Sequence, residues 1–289
     1  MSSFINNPII AKELKSRMRG KQGFVMLTAY LALISLVIYV VFAYSVNTAG
    51  NSVWILQQTG KKIFQVVVLL ELVMTGFIGP ALTAGSITAE RERKTFDTLR
   101  ISLLSAREIV IGKLGAAVLF LLLLILAAIP LQSLAFFLGG VGLAEMLISI
   151  VMLALSALVF CTLGLYFSSI TKHTSAATVL TYSTLALSVM ILGAFAYAFR
   201  ENSYLLSTTT LQFQRASLNF IWTLFSTNPF TAAFISGTML TQEQSLFLID
   251  LPDYSLALFS PWILYSIFSI TMTVLMIWLI IFYLNRYER

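Results

Sequence analysis

Residues 64–87 read FQVVVLLELVMTGFIGPALTAGSI, and residues 88–113 read TAERERKTFDTLRISLLSAREIVIGK. The first segment is predominantly apolar, and at about 1.5 Å per residue it is long enough to cross the ~30 Å of hydrocarbon in a bilayer. The second segment is the most polar part of the chain. An apolar segment followed at once by a dense run of charges predicts a membrane-spanning helix that leads into an aqueous loop.

The composition of the whole chain agrees with this prediction. Of its 289 residues, 58% are hydrophobic and 10% are charged, and the mean hydropathy is +0.91. Soluble domains carry roughly 25% charged residues, so a soluble globule is excluded. Further apolar segments of spanning length run near residues 24–46, 114–138, 145–170, 174–198 and 261–284. We therefore predict an all-α integral membrane protein with six transmembrane helices, in which residues 1–289 form a single membrane domain.

The basic residues indicate how the spans are oriented, because Lys and Arg gather on the cytoplasmic side of membrane proteins. With both termini in the cytoplasm, that side holds 14 of the 18 basic residues, and only Lys61, Lys62, Arg200 and Arg215 lie outside. The first span is too long to be the apolar region of a signal peptide. The prediction is a multi-pass protein of the cell membrane with cytoplasmic N- and C-termini, in contact with the lipid bilayer. The net charge of +6 then reflects topology, and no nucleic-acid partner is expected.

Residues 218–240 leave two alternatives open. This uncharged stretch is long enough to be a seventh span, but that topology would reduce the charge split to 12 against 6. Asn228 and Pro229 also interrupt the stretch at mid-length. A re-entrant pair of half-helices explains the interruption, since broken helices are tolerated where protein or water satisfies their backbone. We favour re-entry and predict that residues 199–260 form an outer segment with re-entrant helices.

Residues 7–19 have the pattern of an amphipathic helix. Asn7 can cap a helix that opens with Pro8. Apolar residues then fall within an arc of about 100°, and Lys12, Lys15 and Arg19 cluster on the opposite side. The pattern predicts an interface helix that lies along the membrane surface with its basic face toward the headgroups. The alternative is a basic flank that only sets the topology.

The polar segment 88–113 has helical features of its own. Glu90 with Lys94, and Arg93 with Asp97, are spaced as i, i+4 ion pairs, so we expect the second span to continue as a helix beyond the membrane. The sequence Ser105-Ala106-Arg107-Glu108 has the form of a capping box that opens a new helix leading into the third span. The two helices together predict a cytosolic helical hairpin.

The apolar residues within this hairpin decide between two interpretations of it. Phe96, Leu99 and Leu103 follow one another at spacings of three and four, which gives the hairpin an apolar edge with no lipid to cover it. A loop that only fixes orientation does not need that edge. A helical tip that mixes apolar and charged residues suits docking into a groove on a cytosolic partner.

One carboxylate within the spans is a candidate for function. Glu71 lies roughly a third of the way into the second span, where an acid costs about 2.5–3.5 kcal/mol and normally faces protein or water. It is a candidate lining residue of a transport pathway, and the alternative is a hydrogen-bonded Glu at a helix contact. Gly76, Gly79 and Pro80 on the same span favour close helix approach and a kink, which would also suit a dimer seam.

The chain lacks the residues for several other kinds of chemistry. It contains no Gly-x-x-x-x-Gly-Lys-Ser/Thr loop, so it is not expected to be an ATPase or any other enzyme. An intramembrane enzyme needs clustered His, Asp, Glu or Cys, and the chain has one His and one Cys. We interpret His173 as a topology residue and Cys161 as a packing residue. No catalytic, cofactor-binding or metal site is predicted in this chain.

The hairpin resembles the signature of permease subunits of ATP-binding cassette transporters of the ABC-2 type. That pattern has E-R-E, a Gly-Thr or similar pair, an acidic-x-Leu, and then L-S-x-x-E-hydrophobic-x-x-G-K at the start of the third span. The matching residues are Glu90, Arg91, Glu92, Thr95, Asp97, Leu99, Ser105, Glu108, Gly112 and Lys113. The sequence departs at Lys94, where Gly is common, and at Leu103, where Pro often breaks the chain. The interface helix, the six spans and the outer segment are also similar to that family.

The resemblance implies a function for the hairpin. It would be the element that couples a permease to a separate cytosolic ATP-binding cassette ATPase subunit. The resemblance also implies that the permease is an exporter and that ATP and Mg are held by the ATPase subunit. A second permease chain, identical or different, would complete the pathway. The partner-coupling residues would be Glu90, Arg91, Glu92, Thr95, Phe96, Asp97, Leu99, Leu103, Ser105 and Glu108. The alternative is a non-transporting membrane anchor or scaffold that recruits a cytosolic partner.

Overall fold

The structure is a computed structural model of the chain, and it describes residues 13–15, 21–49, 53–94, 105–201, 211–241, 246–251 and 256–287. In chain order the elements are α1 (Lys21–Ala49), α2 (Val53–Thr83), α3 (Thr88–Glu92), α4 (Ala106–Phe137), α5 (Leu143–Ile170), α6 (Thr174–Glu201), α7 (Leu211–Thr227), α8 (Pro229–Thr241), β1 (Leu248–Leu251), β2 (Leu256–Phe259) and α9 (Pro261–Tyr287). We call the side of the bundle on which α3 lies the hairpin side.

The six predicted spans are confirmed. In the described part of the chain, six helices are long and apolar enough to cross a membrane, namely α1, α2, α4, α5, α6 and α9. Two of them begin earlier than hydropathy predicts. Helix α2 begins at Val53 and continues through Lys61 and Lys62, and α4 begins at Ala106, within the polar segment. A helix continues past its apolar stretch wherever its backbone hydrogen bonds are satisfied, so these helices are longer than the membrane requires.

Helix α2 crosses the centre of the bundle and packs on α4 and α5. Gly79 faces these two helices closely, because a Cβ there would lie 3.3 Å from Cβ of Phe160 on α5 and 3.4 Å from Cδ1 of Leu121 on α4. The predicted close approach at Gly79 is confirmed as a contact within one chain. Cys161 has no exposed surface, which agrees with its interpretation as a packing residue.

The outer segment contains the break that the sequence predicts. Helix α7 ends just before Asn228, and helix α8 begins just after it. Helix α7 has 17 residues and α8 has 13, so each is shorter than a full span. The Asn228 side chain accepts a hydrogen bond from the backbone N–H of Phe230 at 2.9 Å, and Pro229 takes the first helical position, which is a favoured helix start. Re-entry into the membrane stays a prediction.

A short antiparallel β-hairpin follows α8, and the sequence analysis did not predict it. Leu248 of β1 is opposite Phe259 of β2. Two indole groups attach this hairpin to its neighbours: Trp222 Nε1 donates to the carbonyl oxygen of Phe259, and Trp262 Nε1 donates to that of Leu246, both at 2.8 Å. The fold is otherwise helical, as predicted.

Only residues 13–15 of the predicted interface helix 7–19 are described, and they are helical. Leu14 belongs to the predicted apolar face and packs against the core, and Lys15 is exposed. The rest of the interface helix lies outside the described residues.

Candidate coupling site

The polar segment after α2 does not continue as one helix. Residues 84–87 form turns, α3 ends at Glu92, and Lys94 has a left-handed backbone with φ of 56°. The predicted helix through Glu90 and Lys94 to Asp97 is therefore wrong for its described part, since the helix ends before Lys94. Asp97 itself lies outside the described residues.

Glu90 reaches the start of the third span. Lys113 Nζ donates to Glu90 Oε1 at 2.7 Å and to Glu13 Oε1 at 3.3 Å. It also donates to the carbonyl oxygen of Ser86 at 2.9 Å. The Lys113 side chain is only 4% exposed, and the two carboxylates are 22–23% exposed, so this group is well shielded from water. Lys113 thus joins α4, the α3 segment and the N-terminal segment.

The α3 helix is also bound to the end of α5. Ser168 Oγ accepts hydrogen bonds from the backbone N–H groups of Ile87 at 3.0 Å and Thr88 at 3.2 Å. This hydroxyl satisfies amides at the helix start that have no partner within the helix. Arg91 Nη1 donates to the carbonyl oxygen of Thr171 at 3.0 Å, and Thr171 is the C-cap of α5.

Glu92 binds the first turn of α6. Its Oε1 accepts a hydrogen bond from the backbone N–H of Thr174 at 2.8 Å, and the Thr174 hydroxyl donates to both carboxylate oxygens at 3.1–3.2 Å. His173 Nδ1 lies 3.6 Å from Glu92 Oε1. A carboxylate at a helix N-terminus is favoured by the exposed amide groups and by the helix dipole. His173, interpreted from sequence as a topology residue, is therefore also a neighbour of Glu92.

The return helix of the polar segment starts as predicted. The backbone N–H of Ser105 donates to Glu108 Oε2 at 2.8 Å, and the backbone N–H of Glu108 donates to Ser105 Oγ at 3.4 Å. This reciprocal pair is a complete capping box, which confirms the motif read from the sequence. It fixes where α4 begins on the hairpin side.

The three consecutive residues of the E-R-E motif therefore bind three different spans. Glu90 binds α4, Arg91 binds the end of α5, and Glu92 binds the start of α6. We call these contacts, with those of Lys113 and Ser168, the coupling cluster. Such an arrangement allows a displacement of α3 to reach three membrane helices at once.

Sequence reasoning missed the partners within this cluster. Glu13, Ser168, Thr171 and Thr174 are separated from the residues they contact by 80 to 100 positions. No local spacing signals such contacts. Five predicted coupling residues lie outside the described part of the chain, and their role at a partner surface stays a prediction: Thr95, Phe96, Asp97, Leu99 and Leu103.

Glu71 lies in a second polar group, inside the bundle. Gln132 Nε2 of α4 donates to Glu71 Oε2 at 2.7 Å, and Glu71 has 0% exposure in the chain. Glu71 Oε1, Gln132 Oε1 and the hydroxyl of the buried Tyr30 have no hydrogen-bond partner among the described residues. This geometry is that of a carboxyl at a contact between α2 and α4. Its role in a pathway stays a prediction.

The described residues include no group of three or more His, Cys, Asp or Glu side chains that could hold a metal ion. The contacts of both polar groups join separate helices, so the arrangement is suited to holding helices together.

The fold and the coupling cluster together define a multi-pass helical membrane protein whose most polar segment is bound to the ends of several spans on one face of the bundle. The chain belongs to the ABC-2 family: the family model described as ABC-2 family transporter protein matches residues 7–287. The resemblance seen in residues 89–113 is thereby confirmed over nearly the whole chain. The protein is a membrane permease of an ABC transporter, and that family is the membrane component of such a transporter. No curated protein matches this chain.

Proposed function

We propose that this chain is the permease subunit that couples ATP hydrolysis on a separate cytosolic subunit to substrate translocation, in the direction of export. The coupling cluster is the observation that supports this function. A loop that only sets topology does not need three consecutive charged residues bound to α4, α5 and α6. An anchor that recruits a partner without transport needs an exposed tip but no such connection to the spans.

The contacts supply a route for the motion. The tip, residues 95–104, docks on the ATP-binding subunit through Phe96, Leu99 and Leu103. When that subunit closes on ATP, α3 moves with the tip. Because Lys113 has a buried, hydrogen-bonded ion pair with Glu90, and Glu92 binds the start of α6, the ends of α4 and α6 move with α3.

The proposal includes the rest of the assembly. ATP and Mg²⁺ are bound by the partner subunit, and a second permease chain packs beside this one in the cell membrane. Val179, Met190 and Ile191 of α6 are each about two-thirds exposed. A second chain or lipid would cover this apolar face. The hairpin side and both termini lie in the cytoplasm, as the basic residues predict.

Glu71 is proposed to meet the pathway only in another conformation. Its side chain is fully buried against Gln132 here, so α2 and α4 must separate before substrate or water reaches it. A cysteine placed at residue 71 in a Cys161→Ala background should then react with a polar thiol reagent only during ATP turnover. Reaction at an equal rate without ATP, or no reaction in either state, contradicts this role.

A pair of substitutions separates docking from transmission. Phe96→Ala is expected to weaken co-purification of the ATP-binding subunit, because it removes an apolar anchor of the tip. Glu92→Ala is expected to leave co-purification unchanged but abolish substrate-stimulated ATP hydrolysis, because the link to α6 is lost. Co-purification is measured from solubilised membranes, and ATP hydrolysis is measured on the complex reconstituted in vesicles.

The matched control is Lys172→Ala, an exposed residue of the α5–α6 turn. Membrane insertion should be equal in all three variants and the parent. Unchanged transport and ATP hydrolysis in both Phe96→Ala and Glu92→Ala would remove the coupling assignment. If the ATP-binding subunit associates fully with the parent chain in the presence of ATP but no substrate is transported, the anchor function is favoured instead.

A further inference from the structure

A groove of about 350 Å³ lies on the hairpin side, where the start of α4 passes α9. It is lined by Arg107, Val274, Ile277, Trp278, Ile281, Phe282 and Asn285. We call it the α4/α9 groove. It is separate from the coupling cluster, and none of its lining residues takes part in the contacts of Glu90, Arg91 or Glu92.

The dimensions of the groove match one leaflet of a bilayer. The residues of α9 that line it run from Val274 to Asn285, and at 1.5 Å per residue this stretch of helix is about 16 Å long. Half of the ~30 Å hydrocarbon thickness is about the same length. Arg107 is in the first turn of α4 and Asn285 in the last turns of α9, so the polar residues lie at the mouth and the apolar residues lie deeper.

The deep part of the groove is suited to an acyl chain. Ile277 and Ile281 pack against the core and form its floor. Trp278 and Phe282 are 63% and 48% exposed, and their rings are stacked with centroids 5.9 Å apart. An apolar wall of this size, open to one side in a membrane-spanning region, is covered by lipid or by another apolar surface.

The mouth carries positive charge. Arg107 is exposed, and of the described residues that line the groove it alone is charged. The adjacent acid, Glu108, is bound to Ser105 in the capping box, and Arg286 of the last turn of α9 adds a second exposed guanidinium on this side. An Arg guanidinium binds phosphate oxygens with a bidentate geometry.

We propose that the α4/α9 groove binds an anionic phospholipid, with the phosphate at Arg107 and one acyl chain along Trp278 and Phe282. The charge selects a lipid with a net negative headgroup over a zwitterionic one, because a choline headgroup offsets its own phosphate. A basic residue near a membrane surface favours anionic lipid about fivefold.

Quenching of Trp278 fluorescence tests the proposal directly. The purified chain is reconstituted in phosphatidylcholine vesicles that contain acyl-brominated phosphatidylglycerol or, in a parallel series, acyl-brominated phosphatidylcholine. The Trp278 signal is the difference between the parent and Trp278→Phe. We expect half-maximal quenching at a mole fraction of brominated phosphatidylglycerol about fivefold lower than for brominated phosphatidylcholine.

Two variants test whether Arg107 is the source of the preference for the anionic lipid. Arg107→Gln is expected to bring the two quenching curves together, and Lys172→Gln, which removes an exposed charge on the same side outside the groove, is expected to keep them apart. Equal quenching by the two lipids in the parent overturns the proposal without reference to any variant. A preference that survives in a folded Arg107→Gln protein overturns the assignment of the phosphate to Arg107.

Discussion

Lys94 adopts a left-handed backbone with φ of 56° at the point where α3 ends and the hairpin tip begins. A side chain in this conformation places its Cβ against the following carbonyl oxygen, which costs about 1–2 kcal/mol, and Gly avoids that cost. The family pattern commonly has Gly here, and the backbone conformation explains why. Lys94 is therefore a local departure from the pattern that keeps the same turn.

The conformation of Lys94 leads to a prediction for a single residue. Lys94→Gly should favour the turn by about 1 kcal/mol relative to Lys94→Ala, because both variants lose the charge and only Gly fits a positive φ without strain. Hydrogen exchange of the amides of residues 91–94 measures this difference, and the Gly variant should exchange more slowly by a few-fold. Faster exchange in Lys94→Gly than in Lys94→Ala would contradict the left-handed assignment.

Contacts between residues were predictable from sequence only where they are local. The capping box of Ser105 and Glu108 spans three positions, and its spacing predicts it correctly. The i, i+4 spacing predicts that Glu90 pairs with Lys94, but in the fold Glu90 binds Lys113. The chain turns at 84–87 and at Lys94, and a periodicity argument assumes that it does not turn.

At the scale of helices, the crossing of α2 and α5 depends on a missing side chain. A Cβ on Gly164 would contact Thr83 Oγ1 and would lie 3.2 Å from the backbone nitrogen of Ala84 and 3.3 Å from Cα of Pro80. The two backbone atoms cannot rotate away as a side chain can. This crossing is close to the hairpin side, since Ser168 of the same helix binds the start of α3.

Two glycine substitutions give this crossing a matched test. Gly164→Ala should destabilise the chain by about 1–3 kcal/mol through overpacking. Gly193→Ala on α6 has open space around its Cβ and should be neutral or slightly stabilising, because Ala has the higher helix propensity. The midpoint of thermal unfolding in detergent measures both. If Gly164→Ala is as stable as Gly193→Ala, the helices do not approach as closely as described.

The helices were predictable because their apolar length is imposed by the membrane, and the break at Asn228 was predictable from Asn-Pro chemistry. The β-hairpin of the outer segment was not predicted, although a signal was present. Two short runs, the mainly apolar 246–251 and the apolar 256–259, flank Pro-Asp-Tyr-Ser, which has the form of strand, turn and strand. Short apolar runs are ambiguous between helix and strand, and in a chain dominated by spans the helical interpretation prevails.

For the whole molecule, the proposed coupling requires that one polar segment is attached to several spans at once. Lys113 provides such an attachment, because its ammonium group binds Glu90 from the hairpin, Glu13 from the N-terminal segment and the Ser86 carbonyl oxygen after α2. The 100-residue separation of Lys113 from Glu13 is a property of the folded bundle and has no counterpart in local sequence. The N-terminal segment is thereby attached to the same cluster as the E-R-E motif.

Removing the ammonium of Lys113 should affect distant parts of the chain together. Lys113→Met keeps the length of the side chain but removes the ammonium group that binds both Glu13 and Glu90, and breaking a buried pair in this way costs about 3 kcal/mol or more. The thermal midpoint should fall by about 6–12 °C, given a shift of roughly 2–4 °C per kcal/mol for large domains. Hydrogen exchange should rise at residues 13–15 and at α3 in the same variant, whereas the exposed Lys172→Met should change neither. The double variant Lys113→Met with Glu90→Gln should recover part of the lost stability, because it also removes the negative charge that the Lys113 ammonium binds in the parent. Faster exchange at α3 with no change at residues 13–15 would mean that Glu13 does not depend on Lys113, and the N-terminal segment would then move independently of the hairpin.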